Sequence, residues 1–401
     1  MHKNGAAIDT AVLDGFVRLI GRDVWNERIA ALRGLRARSR GGRALAARHC
    51  LELAIERQRR QPRAGASAAE IRIAGLAAEA VGLSEQLSSR GKLRLRSTLL
   101  ATFASQDSLI PVFHVLQTAA LQRSRGFEVE YAGWESGARF DLLISRDGAE
   151  AEVACDVLSA EEGHGVHHGA WFRLMDRIDP ELQVWLSAHP GRYLLKMTLP
   201  QGLRGSSELP EVALASLHRR ISAMLSSARR ADHDEAAVLR LDPLLLAGAQ
   251  AEELGLMGSL RRDFGPEAHL SVVAAEGGVF VLAARGGQEN DVAVAVRHRL
   301  AAIAPARLGG TRPGILAIFV EDTPREEWRL LRERHELEAE ARQFLTTAAA
   351  RNVVAVTCTS RHEMFGGTAP DAAAEGELRF RNQGHPAAKV VALAPAVLSS
   401  L

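Results

Sequence analysis

Residues 140–158 read FDLLISRDGAEAEVACDVL, and this stretch decides the fold. It contains two runs, 140–145 and 150–158, whose apolar and β-branched side chains favour strands. Between them stands Asp147-Gly148, a dipeptide typical of the tight turn that joins two antiparallel strands. The sequence therefore predicts a β-hairpin in which the two runs pair side by side.

The later strand of this hairpin separates its side chains by charge. Because successive side chains of a strand point to opposite faces, Glu150, Glu152 and Asp156 share one face, and the apolar residues between them share the other. Asp141 stands at the start of the preceding strand and can converge with these acids if the register permits. The acidic face is the candidate site, and the apolar face is the expected core.

Carboxylates on adjacent strands suit the hydrolysis of phosphodiesters. Their hard oxygen atoms bind Mg²⁺, and the ion polarises a phosphate and acidifies a bound water molecule. We therefore take Asp141, Glu152 and Asp156 as the candidate catalytic residues and as the candidate ligands of the metal ion.

Further elements extend the hairpin in both directions. On the N-terminal side, the patterns predict a helix over 108–125 and a strand over 127–131. On the C-terminal side, they predict a helix over 168–188, which Pro180 can split in two, and a fourth strand over 193–199. The predicted order is helix, three strands, helix, strand.

This order of elements resembles the PD-(D/E)XK nuclease superfamily, whose members share the restriction-endonuclease-like fold. The resemblance rests on residues 140–144, the Asp-Gly turn, residues 152–159, and the segment 163–168 with the amphipathic helix behind it. It implies an α/β fold, with a restriction-endonuclease-like mixed sheet flanked by helices. It also implies a metal-dependent nuclease, with Mg²⁺ as cofactor if the site is active and no cofactor otherwise.

The motif departs from the family pattern at the residues that cut. The third strand of the family usually ends in Glu-X-Lys. In one alignment Ala154 and Asp156 occupy these positions, and in the other Glu152 and Ala154 do. Neither alignment contains a lysine, and an aspartate repels the phosphate that a lysine would attract. Only Asp141 carries over without change.

Two interpretations follow from this departure. In the first, the fold is kept and nuclease activity is lost. The protein is then catalytically inactive and keeps a binding or scaffolding role, and DNA and RNA are among its candidate partners. In the second, the acids form a rearranged Mg²⁺ site of a DNA or RNA endonuclease, with positive charge supplied by Arg139, Arg173 or Lys196. The first is favoured because arginine, whose pKa stays above ~12, is a poor proton shuttle. A third hypothesis, from another class, is a protein-interaction module without a nucleic-acid role.

Further residues are candidates for contacting a substrate. They are Gln117, Arg139, His164, His168 and Arg173. His164 and His168 also suggest a different metal site together with Asp156, because imidazole suits zinc and carboxylate suits manganese. The alternative is that these histidines are solvated in a loop and at the N-terminus of a helix.

The whole chain divides into three predicted regions. Residues 1–105 form a helical N-terminal region, 106–205 the nuclease-like core, and 206–401 a C-terminal α/β extension in which 361–385 is a loop. Ser67 is the expected N-cap of a helix in the first region. The helices predicted in the extension cover 208–227, 290–304 and 325–347, and the strands cover 236–242, 268–274, 278–284, 314–320 and 352–359.

Composition sets the class of protein. In 401 residues, a net charge of +2 with 47% hydrophobic and 24% charged residues is ordinary for a globular chain and excludes wholesale disorder. Cys50, Cys155 and Cys358 form no CxxC spacing, so neither a zinc cage nor a disulfide framework is expected. Without a signal-peptide core or an apolar run near ~20 residues, we expect a cytoplasmic protein with no membrane partner. Basic residues are nearly all arginine, as in GC-rich bacterial coding.

Overall fold

The structure is a computed structural model that describes residues 9–38, 42, 48–61, 65–104, 108–204, 209–244, 260, 264–265, 267–275 and 278–400. The chain splits into two compact units. The second unit takes Gly34–Ala47 and Glu161–Val292, and the first unit takes the remainder. The predicted limits at 105 and 205 therefore do not coincide with the boundaries of these units. Residue 208 of the predicted helix 208–227 lies outside the described residues.

Helices fill the N-terminal part of the described chain, as the sequence predicts. Apolar residues recur along one helical face, so that Leu13, Phe16 and Ile20 are buried in the core. The predicted N-cap is confirmed, because the Ser67 hydroxyl accepts from the Glu70 amide and the Glu70 carboxylate accepts from the Ser67 amide. The helices are α1 (Thr10–Ile20), α2 (Arg22–Arg38), α3 (Cys50–Arg60), α4 (Ala68–Gln86) and α5 (Ser89–Ala104).

The predicted hairpin is confirmed at the centre of the first unit. Arg146 pairs with Ala149, and the chain turns at Asp147 and Gly148 with φ angles of 49° and 77°. Positive φ at both turn positions is the conformation that favours Asp-Gly. The elements of this part are α6 (Ile110–Ser124), β1 (Glu128–Glu130), α7 (Ala132–Glu135), β2 (Leu142–Arg146), β3 (Ala149–Ser159) and a 3₁₀ turn over Ala160–Gly163.

The second unit builds its own sheet and core. Its strand order is β5-β6-β4-β8-β7, in which only β4 and β8 are parallel among the described pairs. Trp171, Leu195 and Phe280 are buried together in its core. The elements are α8 (His168–Ala188), β4 (Gly191–Leu199), α9 (Leu209–Ser226), β5 (Ala231–His233), β6 (Val238–Pro243), β7 (His269–Ala275) and β8 (Gly278–Gly286).

The C-terminal part of the chain completes the sheet of the first unit. The strand order is β1-β2-β3-β9-β10-β11, with β9 parallel to both β3 and β10. The two sheets are therefore mixed and flanked by helices, which confirms an α/β fold. The elements are α10 (Val292–Arg307), β9 (Gly314–Glu321), α11 (Arg325–Glu333), α12 (Glu336–Leu345), β10 (Val353–Ser360), α13 (Arg361–Met364), β11 (Leu378–Arg381) and α14 (Ala394–Val397), with 3₁₀ turns over Ala348–Ala350, Pro386–Lys389 and Val391–Leu393.

The strand predicted at 193–199 exists within β4, but it does not join the hairpin as a fourth strand. It pairs with β6 and β8 of the second unit, and the parallel neighbour of β3 is β9. Parallel neighbours need a crossover connection, and here the crossover carries Glu161–Val292 before α10 reaches β9. The core predicted over 106–205 is therefore divided between the two units. Local sequence patterns do not predict such an insertion.

Three smaller expectations also differ from the structure. Pro180 lies inside α8 without splitting it, since Ile178 and Leu182 on either side are buried in one core. The predicted helix 325–347 is two helices, because His335 adopts a left-handed conformation with φ of 57°. The predicted loop 361–385 contains β11, which pairs with β10. Among the described residues, no helix is both long and apolar enough to span a bilayer.

Candidate functional site

The hairpin brings the predicted carboxylates to one face of the first sheet. Leu142 lies opposite Val153, and the Asp141 amide donates to the Val153 carbonyl at 3.0 Å. Asp141 is therefore next to Ala154, on the face that carries the side chains of residues 152 and 156. The opposite face is apolar, with Val153 and Cys155 buried in the same core as residues of α6.

Asp141 accepts hydrogen bonds from both the strand and a distant helix. Its Oδ2 atom accepts from the Cys155 amide at 2.7 Å and from Nη2 of Arg307, in α10, at 2.8 Å. Burial raises the pKa of the Asp141 carboxyl above its usual range, and the charge of Arg307 offsets only part of that increase. The Asp141 carboxylate is thus paired with an arginine of this chain.

Asp156 is held by a second arginine of the same helix. Arg299 donates from Nε to one Asp156 oxygen at 2.5 Å and from Nη2 to the other at 3.2 Å. This two-pronged geometry is the strongest arrangement of an arginine and a carboxylate. The Asp156 side chain is only 16% exposed, so little of the carboxylate is left to water.

Glu152 is the most deeply buried of the three acids. Its side chain is 1% exposed, and it accepts from the Gly309 amide at 2.6 Å, with Nη1 of Arg312 at 3.9 Å. A Cβ atom at Gly309 would lie 2.8 Å from Glu152 Oε1, so a larger residue there would push the carboxylate away. Arg312 also donates to Glu150 at 2.6 Å. The chain between α10 and β9 therefore encloses the Glu152 carboxylate.

The predicted accessory residues are divided between the two units. Gln117 is buried in α6, which packs on the opposite, apolar face of the sheet. Arg139 is exposed, and its carbonyl accepts from Nε of Arg307 at 2.7 Å. Arg173 lies on α8 and Lys196 on β4, both in the second unit, where Lys196 forms an ion pair with Asp242 at 3.1 Å.

The predicted histidines form a separate cluster within the second unit. His164 and His168 lie beside Glu161, and the ligand atoms of these three residues are all within 4.8 Å of one another. Burial alone would raise the pKa of the Glu161 carboxyl, but the hydrogen bonds with His164 and His168 lower it overall. Asp156, which the sequence suggested as their partner, is instead bound to Arg299.

The arginine partners were the part of the site that the sequence did not predict. Arg299, Arg307 and Arg312 lie more than 140 residues after the acids that they contact, beyond the inserted second unit. The sequence offers only a weak signal, namely one arginine in the middle of a helix, one at its last residue and one just after it. The turn glycine Gly309 carried no pattern that pointed to Glu152.

Comparisons with known proteins add no further identification. No protein-family model matches this chain, and neither the curated proteins nor the solved structures compared with it gave a match.

Proposed function

We propose that the first unit is a restriction-endonuclease-like core of the PD-(D/E)XK type that has lost phosphodiester hydrolysis and keeps a binding or scaffolding role. The order of its elements supports this proposal. A helix, α6, precedes three antiparallel strands, and after the insertion α10 leads into β9, which is parallel to β3. The acids expected to be catalytic stand on neighbouring strands of that sheet.

One observation carries the proposal that cutting is lost. Each acid that would hold Mg²⁺ has a donor from this chain: Arg307 on Asp141, Arg299 on Asp156, and the Gly309 amide on Glu152. Mg²⁺ needs several oxygen ligands at about 2.1 Å. An incoming ion would have to displace guanidinium groups already bonded to those oxygens. The stretch 150–158 also lacks the lysine that a phosphodiester would need.

The charge of this face bears on the partner. The four carboxylates of Asp141, Glu150, Glu152 and Asp156 are set against the arginines of α10 and the segment after it. Nucleic acid is attracted by an excess of positive charge. In these ion pairs the carboxylates compensate the positive charge of the arginines. Because the positive charge is already compensated, a protein is the better partner for this face. Binding of nucleic acid is the alternative that the salt-dependent measurement below detects.

A nuclease assay with matched variants tests the proposal. The full chain and Asp141→Ala are incubated with Mg²⁺ or Mn²⁺ and single-stranded and duplex DNA and RNA. We expect equal, background-level products from both proteins, because the acids do not hold an ion. Hydrolysis by the natural chain that Asp141→Ala abolishes would instead indicate a rearranged Mg²⁺-dependent endonuclease.

Binding is measured on the same proteins over a range of salt concentrations. We expect no duplex or single-strand affinity that falls steeply with salt, since a protein that releases counterions from several phosphates shows a steep slope. A steep slope that Arg139→Ala reduces would contradict the protein-partner assignment and support a nucleic-acid scaffold. The absence of cutting would stand in either case, so the two parts of the proposal fail separately.

A further inference from the structure

The histidine cluster of the second unit has the composition of a transition-metal site. Glu161 lies in the 3₁₀ turn that follows β3, His164 comes directly after that turn, and His168 is the first residue of α8. All three are therefore on a short, continuous segment whose two ends lie in regular structure. Two imidazoles and one carboxylate suit zinc and related ions, whereas Mg²⁺ and Ca²⁺ prefer oxygen ligands alone.

The distances among the side chains suit a common ion. Glu161 Oε1 lies 2.5 Å from Nδ1 of His168 and 3.5 Å from Nδ1 of His164. Zinc holds nitrogen and carboxylate ligands at about 2.0–2.2 Å. The ligand atoms of the three side chains lie within 4.8 Å of one another, and binding of one ion requires the Glu161–His168 hydrogen bond to open so that both atoms face the ion.

The surroundings hold the ligands in place and leave one side open. The second oxygen of Glu161 accepts from the His168 amide at 2.7 Å, which fixes the carboxylate against the start of α8. His164 is almost fully buried, with 2% of its side chain exposed, whereas His168 is 38% exposed. The buried His164 would thus bind an ion from the protein interior, and solvent would reach the ion on the side of His168.

A further imidazole stands next to the three. The His269 ring, on β7, is buried, and its centroid lies 4.5 Å from that of His168. This cluster differs from an ordinary ion pair such as His218–Glu181, where a single half-buried ring contacts one acid at 2.8 Å. His167 is the remaining ring, with Nδ1 at 4.0 Å from Glu161.

We propose that Glu161, His164 and His168 bind one divalent transition-metal ion, with zinc as the best fit, and that the His269 ring holds the His168 ring in place. The proposal is independent of the function proposed above, because every residue in it belongs to the second unit. The three ligands leave a coordination position for water or a substrate.

Metal binding to the full chain tests the proposal. The protein is stripped with a chelator and titrated with Zn²⁺ against a chromophoric competitor, and with Co²⁺ to record the visible absorption of a low-coordinate site. We expect one Zn²⁺ per chain, a rise in melting temperature on binding, and no comparable response to Mg²⁺. Zn²⁺ affinity should fall at least ~10–100-fold in Glu161→Gln and in His168→Ala, the loss typical of even an outer-shell partner.

His218→Ala is the matched control, since it removes a histidine bonded to a glutamate elsewhere in the same unit. Its Zn²⁺ affinity and Co²⁺ spectrum should equal those of the natural chain. Circular dichroism of the metal-free variants verifies that each one is folded. Zn²⁺ binding that is equally tight in Glu161→Gln, His168→Ala and the natural chain, or too weak to measure in all of them, would overturn the proposal.

Discussion

Glu152 illustrates what a buried charge requires. A carboxylate removed from water is costly unless donors replace its hydration. Glu152 has the Gly309 amide at 2.6 Å and the Arg312 guanidinium at 3.9 Å, and its own amide donates to the Pro313 carbonyl at 2.9 Å. The acid is thus built into the segment that joins α10 to β9. These contacts hold that segment against β3.

Gly309→Ala should destabilise the first unit by about 1–3 kcal/mol, the range for a buried polar group that loses its partner. The added Cβ would lie 2.8 Å from Glu152 Oε1, so the carboxylate must move away from the amide that it accepts from. Urea denaturation measures the effect. Gly75→Ala, where no atom lies within 4 Å of the added Cβ, is the control and should not lower stability. Equal stability of both variants would contradict this role of Gly309.

The helix α10 carries two arginines that contact two different parts of the hairpin. Arg299 and Arg307 are eight residues apart in the helix, which spans about 12 Å at 1.5 Å per residue. Arg299 contacts Asp156 on β3, and Arg307 contacts Asp141, which lies just before β2. A single rigid helix therefore neutralises the acidic face of the hairpin at both of its strands.

The capping box of α4 gives a prediction at the same scale. Ser67→Ala should cost about 1 kcal/mol, the usual loss for an N-cap hydroxyl. Ser84→Ala is the control in the same helix, because the Ser84 hydroxyl donates only to the Val81 carbonyl one turn before. Thermal unfolding of both variants measures the difference. A larger loss in Ser84→Ala would contradict the importance of the cap.

The same box predicts a dependence on pH. The hydrogen bond from the Ser67 amide holds the pKa of Glu70 down at about 2, below its value of about 4.5 in an unfolded chain. A depressed carboxyl pKa stabilises the fold above pH 4.5, and the stabilisation is lost as pH falls from 4.5 towards 2. Glu70→Gln should therefore lose less stability than the natural chain over this interval. Parallel pH profiles of the two proteins would contradict the assignment.

The sequence predicts the features that depend on neighbouring residues, such as turns and strand faces. It does not predict contacts between residues that are far apart in the chain. Asp147-Gly148 fixes the turn, and alternation then fixes the face of Glu152 and Asp156, because both signals act over a few residues. The choice of β9 as the neighbour of β3 depends on packing across the inserted second unit, which no local period encodes. The same distance hides Arg299 and Arg307, since helical periodicity predicts a helix but not the strand that it covers.

The residues that the structure describes form two sheets with separate cores. The longer segment of the second unit, Glu161–Val292, interrupts the first unit after β3, and its two ends meet, because the Asp291 amide donates to the Gly163 carbonyl at 2.8 Å. Segments whose ends are close can be inserted into a domain at small entropic cost. This arrangement explains how a sheet with a parallel β3–β9 pair can tolerate so long a connection.

Replacing residues 164–290 by a short Gly-Ser linker should therefore leave the first unit folded. We expect a cooperative thermal transition and mixed α/β circular dichroism, since the buried residues of the first core lie outside the deleted segment. Deletion of 110–124, which removes α6 from that core, is the control and should abolish the transition. A non-cooperative transition in the linker variant would contradict independent folding of the first unit.

The central claim is that arginines of this chain occupy the carboxylates that would otherwise hold a metal ion. Mn²⁺ binding, followed by electron paramagnetic resonance, tests it most directly. Every protein carries His168→Ala, so that the histidine cluster does not contribute. In that background, the protein with both arginines should bind no Mn²⁺ in the millimolar range. The variant that also carries Arg299→Gln and Arg307→Gln should bind one Mn²⁺ ion. Adding Asp141→Asn to this variant should abolish that binding. Tight Mn²⁺ binding with both arginines in place, lost in Asp141→Asn, would contradict the claim.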